Sequence, residues 1–247
     1  MSEAAVGRRV LVTGARRGIG AAIAVELARP GWTLVLHHLE AAGEAEAVAR
    51  QCRERGARTE ILEADLADPA AVSALAERAG PVDILVNNAS RASNVGLAAL
   101  PLPEWQETFA VNVTAPMLLA QALGAGMAAR GWGRIVNVTS ATVARGGPSG
   151  PSYVASKAAL VGLTRSLARS FGPAGVTVNA LSPGAILTER EVEILGDDPH
   201  REIIAAQFVP RTLLPEDLLA AVRFLVADGS GAMTGQVVEV GGGIVLG

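Results

Sequence analysis

One lysine and one tyrosine stand four residues apart in a chain that otherwise avoids both residue types. Of the 21 basic residues, 20 are arginine and one is Lys157, and the only tyrosine is Tyr153. Arginine serves equally well on an exposed helix, so this lysine indicates a role that needs a compact ammonium with three rotatable donors. On a helix, residues i and i+4 share a face, which would place the phenol beside the amine.

Such a pair suits proton transfer at neutral pH. The pKa of a tyrosine phenol is ordinarily about 10, and a neighbouring ammonium favours the phenolate and lowers that pKa. Moving the pKa to near 7 requires about 4 kcal/mol, part of which the ammonium would supply in a partly desolvated site. Tyr153 is therefore predicted to exchange a proton with a substrate as a general acid or general base. The alternative is a helix-surface pair without a role.

A second candidate site is a glycine-rich turn near the N-terminus. Residues 13–20 read Thr-Gly-Ala-Arg-Arg-Gly-Ile-Gly and lie between a strand pattern and a helix pattern. Glycines there permit a tight turn and close approach of the backbone to a pyrophosphate, and the helix N-terminus adds a favourable dipole. The spacing differs from the commoner dinucleotide fingerprint, and the alternative is an ordinary strand-to-helix turn.

The elements that must position these residues alternate between strand and helix patterns. We predict strands at residues 8–13, 32–37, 58–62, 83–87, 134–139, 176–181 and 236–240, and helices at 18–29, 44–55, 69–78, 103–129, 152–171 and 215–227. Near-continuous apolar strands that alternate with helices indicate an α/β, Rossmann-like fold, a doubly wound parallel sheet of about seven strands with helices on both faces. No linker divides the chain, so residues 1–247 are predicted to form one domain.

Composition and charge exclude several classes of protein. Half of the 247 residues are hydrophobic, which is typical of a folded domain. The net charge is −3 and basic residues form no run longer than a pair, so we expect no nucleic-acid partner. A single cysteine, Cys52, excludes a disulfide framework, and the three histidines suggest no metal site. The N-terminus lacks an apolar signal region, so we expect the reducing cytoplasm.

One uncharged stretch has the length of a membrane span. Residues 110–129 carry no charge and are long enough to cross a bilayer. They also include Asn112, Thr114 and Pro116, which favour a helix buried on most of its circumference, inside the domain or at a subunit contact. We therefore expect no membrane partner.

Together these motifs resemble the short-chain dehydrogenase/reductase family over nearly the whole chain. The resemblance is carried, in chain order, by the glycine turn, Asn87-Asn88-Ala89, Ser140, Tyr153-x-x-x-Lys157, Pro183-Gly184 and Ile186-x-Thr188. It implies an oxidoreductase that transfers a hydride between a nicotinamide cofactor and a carbonyl or secondary alcohol. The sequence is similar to 3-oxoacyl-[acyl-carrier-protein] reductases, whose substrates are acyl thioesters. Sugar, polyol or secondary-alcohol dehydrogenases are the alternative, and a non-catalytic dinucleotide-binding sensor is a further one.

The resemblance also implies roles for individual residues. Ser140 would donate a hydrogen bond to the substrate carbonyl, and Asn112 would join a water-linked relay to Lys157, with a simple helix kink as the alternative for Asn112. With Tyr153, these residues complete a catalytic set that a sensor would not need. The predicted cofactor contacts are Gly14, Arg16, Arg17, Gly18, Ile19, Gly20, His38, Asp65, Leu66, Asn88, Ala89, Tyr153, Lys157, Pro183, Gly184, Ile186 and Thr188.

The end of the second strand favours NADP(H) over NAD. An NAD-preferring site places an acid there to bind the adenosine ribose, whereas this chain has His38 and no carboxylate until Glu40. Arg16 and Arg17 in the adjacent turn offer guanidinium groups for a 2′-phosphate, and Arg17 matches the family's usual partner. NAD remains the alternative if Glu40 folds back to the ribose.

Two positions depart from the family pattern. Ser90 replaces the usual glycine, and we expect its side chain either to narrow the approach to the cofactor or to lean into solvent. Gly241 replaces a frequent aspartate, and we expect this to affect local packing rather than catalysis.

A lid and an assembly complete the expectations. Residues 188–209 are polar, irregular and rich in helix breakers, so we expect a lid that closes over bound substrate. The resemblance implies a homotetramer with two-fold axes.

Overall fold

Seven parallel strands form one sheet at the centre of the computed structural model, which describes residues 7–147, 149–189 and 201–246. Their order across the sheet is β3-β2-β1-β4-β5-β6-β7, so the order reverses between β1 and β4. The strands are β1 (Arg9–Val12), β2 (Thr33–His38), β3 (Arg58–Glu63), β4 (Ile84–Asn87), β5 (Gly133–Val138), β6 (Val176–Pro183) and β7 (Val237–Val240).

Helices cover both faces of the sheet. They are α1 (Gly18–Leu27), α2 (Ala42–Glu54), α3 (Pro69–Ala79), α4 (Leu102–Phe109), α5 (Ala115–Ala129), α6 (Thr142–Arg145), α7 (Pro151–Phe171), α8 (Arg201–Ala206) and α9 (Leu219–Val226). A π-helical turn, Ala110–Thr114, joins α4 to α5, and short 3-10 helices occur at Leu97–Ala99, Gly172–Ala174, Pro215–Leu218 and Asp228–Ser230. The predicted Rossmann-like fold is therefore confirmed.

The core has two layers because successive side chains of a strand point to opposite faces. In β1, Val10 and Val12 pack toward α1, α2 and α9, whereas Leu11 packs toward α3, α5 and α7. All three are fully buried. A strand covered on both faces must be apolar at every position, which explains the continuous runs in the sequence.

The strands and long helices begin and end within two residues of the predicted bounds, except that the helix predicted over 215–227 is a 3-10 helix to Leu218 and α-helical only from Leu219. The predicted continuous helix over 103–129 is interrupted by the π-helical turn. Part of the predicted irregular lid is also helical, since α8 is a run of six residues without glycine or proline. Residues 190–200 of that lid lie outside the described residues.

The helix Leu102–Ala129 is the one span among the described residues that is long and apolar enough to cross a membrane. One face, with Leu119 and Met127, is buried against α3 and the sheet. Gln121 and Ala125 on the other face are exposed. Within the chain the helix is thus buried on one face, and burial on most of its circumference would require a subunit contact.

Candidate active site

The Lys157 side chain extends from α7 to the end of β5. Its Nζ donates a 2.8 Å hydrogen bond to the carbonyl oxygen of Val138, the last residue of β5. The side chain is almost wholly buried, and Nζ lies 5.6 Å from the ring centroid of Tyr153. The half-buried Tyr153 ring stands one turn nearer the start of α7. The structure thus brings together the two residues that the spacing pairs.

Burial lowers the pKa of Lys157 from 10.5 to about 7. The cause is desolvation, because a low-dielectric surrounding disfavours the charged form. At neutral pH the amine and the ammonium therefore coexist in the isolated chain. The sequence argument assumed a permanent ammonium beside Tyr153, whereas here the charge depends on what else binds nearby.

Ser140 follows β5 and stands just before the start of α6. Its half-buried hydroxyl oxygen accepts hydrogen bonds from the Thr142 N–H at 3.2 Å and from Thr142 Oγ1 at 3.0 Å. A serine hydroxyl has two acceptor lone pairs and one donor hydrogen. With both lone pairs engaged, its remaining capacity is to donate, which is what a substrate carbonyl oxygen requires.

Asn112 sits in the π-helical turn and is buried. Its Nδ2 donates to the Arg91 carbonyl at 3.0 Å and to Ser156 Oγ at 2.9 Å, and its Oδ1 accepts from the Arg91 N–H at 2.8 Å. Ser156 Oγ in turn donates to the Tyr153 carbonyl at 2.7 Å. The amide therefore ties the loop after β4 to the Tyr153 end of α7.

The Ser90 side chain does not lean into solvent, which was one of the two possibilities that the sequence left open. Its hydroxyl donates to Asn112 Oδ1 at 3.2 Å, so it turns toward the buried amide rather than toward solvent. This bond fills the last hydrogen-bonding capacity of the Asn112 side chain. A water relay to Lys157 would therefore have to start from the Asn112 backbone. The π-helical turn at this point partly fits the alternative of a helix kink.

The glycine turn is fastened to the loop after β4 through Thr13. Thr13 Oγ1 accepts hydrogen bonds from the N–H groups of Asn88 and Ala89, each at 3.0 Å. Asn88 Nδ2 donates back to the carbonyls of Thr13 and Gly14, at 2.9 and 3.1 Å. Sequence reasoning quoted Thr13 only as part of the turn. A hydroxyl residue at the end of β1, next to the strand that leads into Asn88-Ala89, was the sequence feature that could have predicted this contact.

Gly20 is required by packing within the protein. A Cβ on Gly20 would overlap the carbonyl oxygen of Gly14 and the amide nitrogen of Asn88. The first turn of α1 therefore lies directly against the glycine turn and its partner loop.

The N-terminus of α1 suits an anionic ligand. The N-cap residue, Arg17, is extended, no side chain caps the first turn, and that turn contains no acidic residue. The first N–H groups of a helix have no intrahelical partner, and a pyrophosphate would satisfy them. Thr188 lies over this end, with its methyl 3.5 Å from the point where a Gly18 Cβ would stand.

Pro183 and Gly184 end β6 beside the C-terminal loop. The Gly184 N–H donates to the Val240 carbonyl at 2.9 Å, and a Cβ on Gly184 would stand only 2.6 Å from the Gly241 Cα. The glycine at 241 thus allows two backbones to meet. Farther along, Ile186 is buried and forms a bridge with Leu213 that directs the chain toward Thr188.

The predicted adenosine contacts are arranged around the ends of β2 and β3. His38 is buried, with Nδ1 accepting the Ala41 N–H at 3.2 Å, and Asp65 is exposed, with Oδ1 accepting the Ala67 N–H at 2.8 Å. The Leu66 side chain belongs to the core, so any nucleotide contact by Leu66 would use its backbone. Arg16 forms a 2.7 Å ion pair with Glu44 on α2.

His37, near the end of β2, contacts the glycine turn after β1 on one side and the loop after β3 on the other. Its Nδ1 accepts the Gly14 N–H at 3.1 Å, and its Nε2 lies 3.0 Å from the Ala64 carbonyl oxygen. Burial lowers the pKa of His37 from 6.5 to about 4. No group of three His, Cys, Asp or Glu side chains among the described residues could hold a metal ion.

Comparison with known proteins identifies the family. A family model described as enoyl-(acyl carrier protein) reductase matches residues 14–245. A probable galactose dehydrogenase of Rhizobium meliloti is 35% identical over 96% of this chain and 94% of its own. The chain belongs to the short-chain dehydrogenase/reductase family. It is an oxidoreductase of that family, and the named activities differ among its relatives.

Two solved members share the fold closely. A 3-oxoacyl-(acyl-carrier-protein) reductase of Agrobacterium tumefaciens with NADP bound is 36% identical, with a TM-score of 0.90 over 96% of this chain and 94% of that one. A short-chain dehydrogenase of Burkholderia cenocepacia in complex with NADP is 36% identical, with a TM-score of 0.86 over 97% and 98% of the two chains.

Replacing Lys157 with methionine is expected to stabilise the protein at neutral pH. Because the pKa of Lys157 is lowered from 10.5 to about 7, wild-type stability falls as the pH drops between these values. We expect Lys157→Met to be about 2 kcal/mol more stable at pH 7, allowing for the unpaired Val138 carbonyl, with the gain gone near about pH 9.5. Urea denaturation at both pH values measures this, with exposed Arg165→Met as the control. A Lys157→Met variant less stable than wild type at pH 7 would contradict it.

His37 is expected to contribute to acid destabilisation. The unfolded chain takes up a proton near pH 6.5, whereas the folded chain resists it until about pH 4. Stability is thus fully present above pH 6.5 and declines by about 3 kcal/mol as the pH falls through that interval. The His37→Asn variant lacks this contribution, so its urea midpoint should depend less on pH between about 7 and 4.5. Parallel pH profiles for the two proteins would refute this assignment.

Proposed function

We propose that this protein is a ketoreductase that transfers a hydride from NADPH to the ketone of a 3-oxoacyl thioester, such as one on acyl carrier protein. The supporting observation is the placement of three groups around the end of β5. Lys157 Nζ bonds to the Val138 carbonyl and lies 5.6 Å from the Tyr153 ring centroid, and Ser140, with a hydroxyl free to donate, follows Val138 by two residues. NADP is the cofactor, since solved relatives at this identity hold it and the α1 N-terminus suits its pyrophosphate.

Bound NADPH supplies the hydride. Ser140 donates a hydrogen bond to the carbonyl oxygen and stabilises the negative charge that develops there. Tyr153 gives its phenolic proton to the same oxygen, which becomes the alcohol. In the oxidative direction the phenolate accepts that proton.

Lys157 responds to the charge on Tyr153. Its amine and ammonium forms are nearly balanced at neutral pH because burial lowers its pKa to about 7. A phenolate beside it favours the ammonium, and the ammonium in turn stabilises the phenolate. The charge is thus strongest at the stage when Tyr153 has lost its proton.

Cofactor-contacting roles are assigned to the turn and to the strand ends. The α1 N-terminus with Gly14, Gly18, Ile19 and Gly20 would hold the pyrophosphate, and Arg17 the 2′-phosphate, with Arg16 restrained by Glu44. The adenosine side would face His38, Asp65, Leu66, Asn88 and Ala89. The nicotinamide side would face Pro183, Gly184, Ile186 and Thr188, and Asn112 would hold the loop beside Tyr153 in place.

A sugar or polyol dehydrogenase is the second candidate, because one relative carries the name of a galactose dehydrogenase. A substrate panel separates the two. Acetoacetyl thioesters with NADPH should give the highest kcat/KM, and galactose or other polyols with NADP+ the lower ones. A reversed order would favour the sugar activity, and cofactor binding without turnover of any substrate would indicate a sensor.

The domain and lid are proposed as a unit. Residues 1–247 form one domain in this proposal, and residues 188–209 close over bound substrate. Thr188 over the glycine turn and the Ile186–Leu213 bridge support this, because they fasten both ends of the segment near the cofactor side. The protein would act in the cytoplasm.

A homotetramer is the proposed assembly. The exposed face of α5, which includes Gln121 and Ala125, supports it because this face is uncharged and uncovered within the chain. Light scattering at about 10 µM should give close to four times the chain mass of 25.2 kDa. Ala125→Arg places a charge on that exposed face and should lower the mass, because a buried unpaired charge is costly. A monomeric wild type would contradict this assembly.

Loss of the phenol should abolish turnover without loss of cofactor. Tyr153→Phe removes the proton donor, so we expect kcat to fall by about 10²–10⁴-fold while the Kd for NADPH changes little. Lys157→Arg should also be severely impaired, because the buried site around Nζ fits a compact ammonium and not the larger, planar guanidinium. Steady-state kinetics and fluorescence titration measure both quantities. Near-normal activity of Lys157→Arg would refute the argument for an amine.

Cofactor preference is predicted to depend on Arg17. We expect wild type to prefer NADPH over NADH in kcat/KM, and Arg17→Ala to lose about ten-fold or more of that preference through the KM for NADPH. Arg50→Ala, exposed on α2, is the control and should leave the ratio unchanged. Equal use of both cofactors by wild type, or a ratio unaffected in Arg17→Ala, would remove Arg17 from this role.

A further inference from the structure

His37 connects the glycine turn to the loop after β3. The turn bonds to this residue twice: the Gly14 N–H donates to the imidazole Nδ1 at 3.1 Å, and the Ala15 N–H donates to the His37 carbonyl at 2.9 Å. On the other side, Nε2 meets the Ala64 carbonyl at 3.0 Å, one residue before Asp65. The ring is buried, with 3% of the residue exposed.

These partners fix the protonation state of the imidazole. A backbone N–H can only donate and a carbonyl can only accept. Nδ1 must therefore be unprotonated to accept from Gly14, and Nε2 must carry the hydrogen that it gives to Ala64. Only the neutral tautomer with its hydrogen on Nε2 satisfies both contacts. In the imidazolium, the Nδ1–H would point at the Gly14 N–H, and neither group could accept the other's hydrogen.

We propose that His37 is a positioning residue for the cofactor, whose neutral ring sets the spacing between the pyrophosphate-binding turn and the adenosine-facing loop at Ala64-Asp65. This inference rests on the proposed dinucleotide function of that turn. A dinucleotide spans both segments, so an error in their spacing weakens binding of the whole ligand. The ring takes no part in the chemical step.

The charged groups around the ring agree with a neutral imidazole. His38 stands next to it on β2 and opposes its protonation, whereas Asp65 beyond β3 favours protonation. In the turn, Arg16 is paired with Glu44, and Arg17 brings a further positive charge. Desolvation outweighs both the hydrogen bond to the Ala64 carbonyl and the Asp65 carboxylate, so the pKa of His37 is low.

Three substitutions separate the two hydrogen bonds. His37→Asn keeps a polar atom near the Nδ1 position, His37→Gln keeps one near Nε2, and His37→Leu keeps neither. We expect the Kd for NADP+ at pH 8 to rise about ten-fold in the Leu and Gln variants and less than about two-fold in the Asn variant. The KM for NADPH should rise in parallel, with kcat and the carbonyl KM unchanged.

Stability must be separated from positioning. Val35→Ala, in the buried part of the same strand, removes core packing but no bond to the turn. It should lower Tm and leave the Kd for NADP+ unchanged. His37→Asn leaves a cavity and should also lower Tm, yet it keeps an acceptor for the Gly14 N–H and should bind NADP+ nearly as well as wild type.

A measurement on the wild type completes the test. Nitrogen-15 NMR of the imidazole at pH 8 should show Nδ1 unprotonated and Nε2 protonated. The opposite tautomer, equal Kd values in all variants, or Kd values that follow Tm through Val35→Ala would each overturn the inference. Wild type that fails to bind NADP+ would instead contradict the proposed function.

Discussion

The buried amine of Lys157 is the constraint on which the rest of the site depends. Its position between α7 and the last residue of β5 gives it one hydrogen bond and almost no water. Burial therefore leaves the Lys157 side chain only partly protonated at neutral pH. A methionine at this position would avoid the free-energy cost of burying an amine. A lysine that lowers stability in this way is typical of groups with a functional role.

Hydrogen bonds between loops position the remaining groups. The loop after β4 is held at one end by Thr13 in the glycine turn and at the other by Asn112. Asn112 reaches α7 through Ser156, whose hydroxyl bonds to the backbone of Tyr153 itself. A path of short contacts thus runs from the glycine turn to the backbone of Tyr153. Such buried networks stabilise one geometry only when every member is satisfied, and the four bonds of the Asn112 amide meet that condition.

The fold could be predicted because most strands are largely apolar on both faces and most turns contain a glycine or proline. Those signals are local, and they placed all the strands and most of the helices within two residues. The π-helical turn at Ala110–Thr114 carries no such signal, and the contacts that Asn112 makes there are with Arg91 and Ser156, far away in the chain. Residue identity indicated Tyr153 and Lys157 because the chain uses each type once. It gave no hint that burial would lower the pKa of the lysine.

Ser90 shows most clearly why side-chain direction escapes sequence reasoning. Its position beside the cofactor loop suggested two orientations, and both assumed that the hydroxyl faces outward. The oxygen of Asn112 was left with one open lone pair by the Arg91 N–H, and a serine two residues past Asn88 is close enough to fill it. A glycine at 90 would leave that lone pair to water. The departure from the family pattern therefore adds a direct protein contact to the network that holds Tyr153, and the choice of serine becomes intelligible only when the amide, the loop and the helix are seen together.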